Sequence, residues 1–184
     1  LGQAPDTGRI SCGGGAGMVA SVVSCREMFA AGVINRMPRL VGVQLQACDP
    51  TARAFHEGRD AVTPVDKQPS LSDAIMNNNP YWGRYCLQAV RETGGTMISV
   101  SDADFIHTIR ELGREEGLFT EPAGSVSVAA LRYLVKVPGF ENPGVTVCNL
   151  TGHGLNAPQV ATDERETPGV IPPTVEAVEA FLQS

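Results

Sequence analysis

Apolar positions along the chain fall into two kinds of block, and the two kinds alternate. "TGRIS" at 7–11, "RLVGVQLQ" at 39–46, "TMISV" at 96–100 and "GVTVCNL" at 144–150 are short and rich in β-branched or aliphatic residues. They read as strands, the longer ones apolar throughout, as strands covered on both faces are. The blocks between them have helical spacing. "MVASVVSCREMFAAG" (18–32) predicts a buried helix, and "CDPTARAFHEG" (48–58) turns at Asp49-Pro50 into a short one that Gly58 stops. "YWGRYCLQAVRETGG" is helical as far as Gly94-Gly95. Ser101 and Asp104 cap a helix whose Phe105, Ile109 and Leu112 share a face. Glu121-Pro122 opens another that runs through "VSVAALRYLV", since proline suits the first helical position. Ser70 and Asp73 in "SLSDAIMN" predict one more capped helix start. After a polar stretch, "PPTVEAVEAFLQ" predicts a last amphipathic helix. Strands interleaved with helices imply an α/β fold with a mainly parallel sheet flanked by helices. No repeat or low-complexity linker divides residues 1–184, which read as a single unit.

Composition narrows the class. With 42% hydrophobic and 18% charged residues, the chain is an ordinary globular one. A balance of 14 basic against 20 acidic residues, net −6, argues against nucleic acid or an anionic membrane as the main partner. No apolar run reaches about 18 residues and no signal peptide is visible, so neither membrane insertion nor export is expected. The five cysteines form no CxxC pair and no zinc spacing, which predicts no metal centre. Most lie in apolar runs, and reduced, buried thiols in a cytoplasmic protein are the expectation. Only Lys67 and Lys136 are lysines.

The candidate chemistry begins at "CGGGAGM" (12–18), between the first strand and the first helix. In a strand–loop–helix turn, backbone N–H groups at the helix start can converge on one anion, and glycines let a phosphate approach. A Walker loop needs Lys and Ser/Thr after its last glycine, where Met18 and Val19 stand. A dinucleotide fingerprint needs a third small residue at Met18, so a nucleotide-binding reading fails there. By itself the loop is a phosphate cradle or a tight turn. A second glycine turn, "TGHGL" (151–155), follows the last strand, and a ligand at the carboxyl edge of a parallel sheet would meet both.

Taken in order, the glycine loop, "GVINRMPRLVGVQ", "SLSDAI", "RETGG", "VSDADFI", "EEGLFTEPAGS", "LTGHGL" and "PPTVEAVEAFL" resemble the threonine synthase family. That family belongs to the fold type II class of pyridoxal-phosphate enzymes, built like the tryptophan synthase beta chain. The resemblance implies that Gly13, Gly14, Gly15, Ala16 and Gly17 hold the cofactor phosphate. It places the Thr151 hydroxyl beside the pyridine nitrogen. A neutral hydroxyl does not force that nitrogen to stay protonated, which moderates the electron sink and favours elimination or replacement. His153, between two glycines, reads as a shape or hydrogen-bonding element rather than the base, and His56 and His107 as surface or packing residues. Glu121-Pro122-Ala123 is read as a helix start facing the site.

The family's Schiff-base lysine lies upstream of its glycine loop, and neither Lys67 nor Lys136 matches its motif. The start at "LGQAPD" matches the family just ahead of that loop. The resemblance therefore implies the C-terminal half of an enzyme, with no catalytic residue in this chain. The N-terminal half, on a second chain or on the same precursor, would carry the lysine, and an oligomer is expected. The substrate implied is a small amino acid with a leaving group, phosphorylated or not. "NNNPYWGR" stands where the family has a longer substrate-binding segment, which makes Asn79 and Arg84 candidate contacts for it. Gly15, Met18 and Asn156 stand where the family often has two asparagines and a lysine, which puts the particular substrate in question. The alternative is a non-catalytic chain of the same fold that binds pyridoxal phosphate or an amino acid for regulation or assembly.

Overall fold

The computed structural model describes residues 3–142, 144–160 and 170–183. Four strands, β1 (Thr7–Ser11), β2 (Arg39–Leu45), β3 (Thr96–Val100) and β4 (Thr146–Cys148), form one sheet in the order β3-β2-β1-β4. Every pairing is parallel, with Thr7 opposite both Arg39 and Thr146, and Val41 opposite Thr96. Parallel strands cannot be joined by tight hairpins, so helices fill the connections. These are α1 (Ala16–Ala30), α2 (Pro50–His56), α3 (Gly83–Glu92), α4 (Asp102–Glu111), α5 (Pro122–Ala129) and α6 (Leu131–Leu134), with α7 (Val175–Leu182) after the sheet. The α/β class and the parallel sheet expected from the apolar blocks are what the chain forms. Among the described residues, no helix is long and apolar enough to cross a membrane.

Alternation along β2 explains the layering, because successive side chains leave a strand on opposite faces. Leu40 joins Ile10, Met18, Val22, Cys86 and Val90 in a core beneath α1 and α3. Val41, Val43 and Leu45 join Phe105, Ile109, Val126 and Leu134 in a second core beneath α4 to α6. Gln44 is the polar residue in the interior of β2 and is fully buried. Its Nε2 donates to the Cys12 carbonyl at 3.0 Å, and its Oε1 accepts the N–H groups of Thr51 and Ala52 at 2.9 Å each. One buried amide thus caps α2 from a distance and braces the residue that leads into the glycine loop. Ser101 and Asp104 form the expected capping box on α4. Beyond Glu111 the helix continues as a π-helical turn, Leu112–Glu116.

Several expectations need correction. "SLSDAIMN" is not helical. Its Ser70 hydroxyl and Leu71 N–H donate to the two carboxylate oxygens of Asp102 at 2.8 and 2.7 Å, so the predicted capping serine serves a tertiary contact instead. The segment then drops Ile75 against the glycine loop. The helix α1 is less buried than its apolar sequence implies. Only Met18 and Val22 are buried, and Val23, Met28 and Phe29 are 41–50% exposed. A helix laid on a sheet covers one side, and nothing among the described residues covers the other. The strand β4 is short and lies at the sheet edge, so Val147 is 53% exposed rather than buried. The long helix through "VSVAALRYLV" is broken at Ala130 into α5 and α6. The polar stretch at 161–169 lies outside the described residues.

Candidate functional site

The glycine loop is built by what presses on it. Cys12 still belongs to the sheet, donating its N–H to the Val43 carbonyl at 2.8 Å. Gly13 follows, where a Cβ would stand 3.1 Å from the Cα of Ile75. At Gly15 a Cβ would stand 2.5 Å from the Cys86 sulfur and 3.0 Å from Trp82 Cβ, and φ is +94°. That residue has to be glycine on steric and backbone grounds alike. Gly14 is different: a Cβ there would meet only the Asn77 side-chain nitrogen, at 3.5 Å.

The carbonyls of this loop are tied back to α3. Trp82 N–H donates to the Gly14 carbonyl at 3.1 Å and the Cys86 thiol to the Gly15 carbonyl at 3.4 Å. In a trans peptide the C=O and the following N–H point in opposite directions. The N–H groups of Gly15 and Ala16 therefore face away from α3. No side chain among the described residues caps α1, so there its first turn keeps unpaired donors and the positive end of the helix dipole. Uncapped donors beside an open glycine fit a phosphate.

The second turn, residues 151–155, is held by the segment that opens α5. Glu121 N–H and the Thr120 hydroxyl both donate to the Gly152 carbonyl at 3.0 Å. Gly154 N–H donates to the Phe119 carbonyl at 2.9 Å, and Asn156 Nδ2 donates to Glu121 Oε2 at 2.8 Å. His153 Nδ1 accepts the Leu155 N–H at 3.2 Å, which places the proton of the neutral ring on Nε2. Its ring lies edge-on to Phe119 at 5.7 Å. Thr151 is exposed, on a hollow of about 400 Å³ lined also by Phe119, Leu150 and His153.

Strand register relates the two turns. Arg9 pairs with Cys148 across β1 and β4, and Asn149 N–H continues the ladder to the Arg9 carbonyl at 3.1 Å. Carried past the last pair, the same offset brings residue 151 alongside residue 12. The glycine loop and the Thr151 turn thus leave adjacent strands at the same carboxyl edge.

The remaining sequence-predicted residues are exposed. Asn79 is exposed, and its N–H is taken by the Asn77 side chain at 3.1 Å. Arg84 is exposed in the first turn of α3, on a separate polar hollow with Asp60, Gln88, Arg91 and Glu92. Lys67 and Lys136 are exposed, and neither lines the Thr151 hollow. Sequence reasoning missed Ile75, Asn77 and Cys86 as neighbours of the loop. The signal available was the run of glycines itself, which demands that something approach closely.

A family model described as pyridoxal-phosphate dependent enzyme matches residues 1–152. Threonine synthase from Methanosarcina acetivorans is 32% identical over 96% of this chain and 44% of its own length. Threonine synthase from Synechocystis sp. is 35% identical over 88% of this chain and 40% of its own length. The chain thus spans less than half the length of these curated relatives. Among solved structures, a threonine deaminase from T.th. matches with a TM-score of 0.61 at 19% identity, over 82% of this chain and 50% of its own. L-serine ammonia-lyase from Rhizomucor miehei matches with a TM-score of 0.65 at 13% identity, over 81% and 45%. These two support the fold, which is that of fold type II enzymes.

Proposed function

Because the chain belongs to the pyridoxal-phosphate dependent enzyme family, we propose that it is the C-terminal, cofactor-holding half of a threonine synthase-like lyase or synthase. The observation that carries this reading is the parallel β1–β4 register, which leaves the glycine loop and the Thr151 turn at one sheet edge. Bound there, pyridoxal phosphate supplies an electron sink for a carbanion at the α-carbon of an amino acid. Gly13 to Gly17 hold its phosphate through backbone N–H groups and the start of α1. The Thr151 hydroxyl meets the ring nitrogen, and Glu121, Thr120 and His153 fix the turn that carries it. The reacting lysine is supplied by an N-terminal half, on the same precursor or a second chain. That half covers the apolar side of α1 at Val23, Met28 and Phe29 and the open edge of β4, since exposed apolar faces and unpaired edges call for a partner. The reaction is elimination or replacement on a small amino acid that carries a leaving group, phosphorylated or not.

The test uses the full protein loaded with pyridoxal phosphate and a phosphorylated hydroxy amino acid such as O-phosphohomoserine. Inorganic phosphate should appear as substrate is consumed, and an amino-acid product should form with it. Thr151→Val keeps the volume and removes the hydroxyl, at an expected loss of about 1–3 kcal/mol, a roughly 5- to 150-fold fall in kcat/KM. A Val variant with the parent's spectrum and rate would make Thr151 a turn residue only. Cofactor binding without turnover of any such substrate would favour the regulatory alternative.

A further inference from the structure

Beneath the glycine loop two thiols face each other. Cys12, the residue before Gly13, and Cys86, in the first turn of α3, are each 0% exposed, and their sulfurs stand 3.9 Å apart. Cys86 also touches the loop. It donates to the Gly15 carbonyl at 3.4 Å, and its sulfur fills the space a side chain at Gly15 would need. The cofactor chemistry proposed above uses neither thiol. We propose that Cys12 and Cys86 form a reversible disulfide, a redox modification site that loosens the phosphate cradle.

The two sulfurs are in contact with nothing between them, and a disulfide needs them closer by roughly 2 Å. Closing that gap converts Cys86 from a hydrogen-bond donor into half of a disulfide, so the Gly15 carbonyl loses its tie to α3 and keeps only the Val19 N–H, at 3.1 Å. Gly15 is the residue whose conformation starts α1, and losing this tie while Cys86 moves toward Cys12 disturbs the donors aimed at the phosphate. Cys86, whose sulfur accepts the hydrogen bond from the Cys12 thiol, is taken as the attacking thiol. The hydrogen bond from Cys12 draws the Cys86 thiol below its ordinary value, against the effect of burial. The same hydrogen bond, then burial, pushes Cys12 up. With hydrogen peroxide as the oxidant, the Cys86 sulfur attacks one peroxide oxygen and the O–O bond breaks. The released hydroxide takes the thiol proton as water, leaving a sulfenic acid. The Cys12 sulfur then attacks that sulfur, the S–O bond breaks, and a second water leaves with the Cys12 proton. Two thiols have lost two electrons and one peroxide has become two waters. A small dithiol reverses the bond by exchange. Peroxide reaches the buried pair through local opening of the loop.

The effect on the cofactor rests on the function proposed above, but the crosslink does not. Full protein, freed of cofactor and reduced, is exposed to hydrogen peroxide, its remaining thiols are alkylated, and it is digested without reductant. Mass analysis should find a peptide pair joining Cys12 to Cys86, two hydrogens lighter than the separate peptides and lost on treatment with dithiothreitol. Pyridoxal phosphate affinity should fall at least fivefold on oxidation and return with dithiothreitol. In a Cys12→Ala variant, affinity should not respond to peroxide. Recovery of both residues as alkylated free thiols, with Cys25, Cys48 or Cys148 oxidised instead, overturns the proposal. So does a crosslinked protein that binds the cofactor as tightly as the reduced one. A reduced protein that binds no pyridoxal phosphate overturns the function and leaves the crosslink to be judged by peptide mass alone.

Discussion

Gly14→Asp folds as the parent does and loses pyridoxal phosphate. This outcome depends on the difference between Gly14 and its neighbours. An aspartate at Gly15 would drive its Cβ into the Cys86 sulfur and force φ to a value that only glycine holds comfortably, so failure to bind could mean failure to fold. At Gly14 an added Cβ meets only the Asn77 amide at ordinary contact distance. The new carboxylate then belongs to the residue just ahead of the Gly15 and Ala16 N–H groups offered to the phosphate. Two unit charges 4–5 Å apart near a protein surface repel by about 3–4 kcal/mol, so affinity should drop by more than roughly 100-fold. Gly14→Ala separates charge from bulk and should change affinity by only a few-fold. The measurement is equilibrium titration of the full protein with the cofactor, beside a thermal melt of each variant. Parent-like affinity in a folded Gly14→Asp protein would remove the glycine loop from the cofactor site.

The second large effect is expected far from the loop. Phe105 is 0% exposed in the core between β2, β3 and the helices α4 and α5. Phe105→Ala removes most of that ring and leaves a cavity that the tightly packed helices cannot fill. Such changes cost about 3–5 kcal/mol, which for a unit of this size lowers Tm by roughly 10 °C. The same variant should weaken cofactor binding, because α4 packs on α5 and the segment opening α5 holds the Thr151 turn. A loss below about 1 kcal/mol, measured by denaturant titration, would contradict the placement of this core.

The sheet and its helices were legible because their signals are local. A fully buried strand such as β2 is apolar at nearly every position, the Ser101–Asp104 box announces α4, and glycines with positive φ at 58 and 94 close α2 and α3. Legibility failed where a residue's partner is distant in sequence. Ser70 has the chemistry of a helix cap, and only the fold shows that its hydroxyl goes to Asp102. Arg9, in a strand read from its short apolar pattern, is 1% exposed and donates to the Cys148 sulfur at 2.9 Å. The exposure of α1 is a matter of what covers it, and composition carries no sign of that.

The candidate site was legible as two glycine turns on two strands, since each is contiguous in sequence. Their placement on adjacent strands was not, because strand order is a tertiary property. The contacts that shape the loop were also hidden. Ile75, Trp82 and Cys86 come from the long stretch between β2 and β3, and nothing in their own spacing points to Gly13 or Gly15.

The central claim is that this chain cradles pyridoxal phosphate while another segment supplies the lysine that holds it covalently. Borohydride reduction of the native, cofactor-loaded protein fixes the cofactor on whichever lysine it had joined, and peptide mass analysis then locates it. The account predicts a pyridoxyl-lysine outside the 184 residues of this chain. A pyridoxyl group on Lys67 or Lys136 would contradict it.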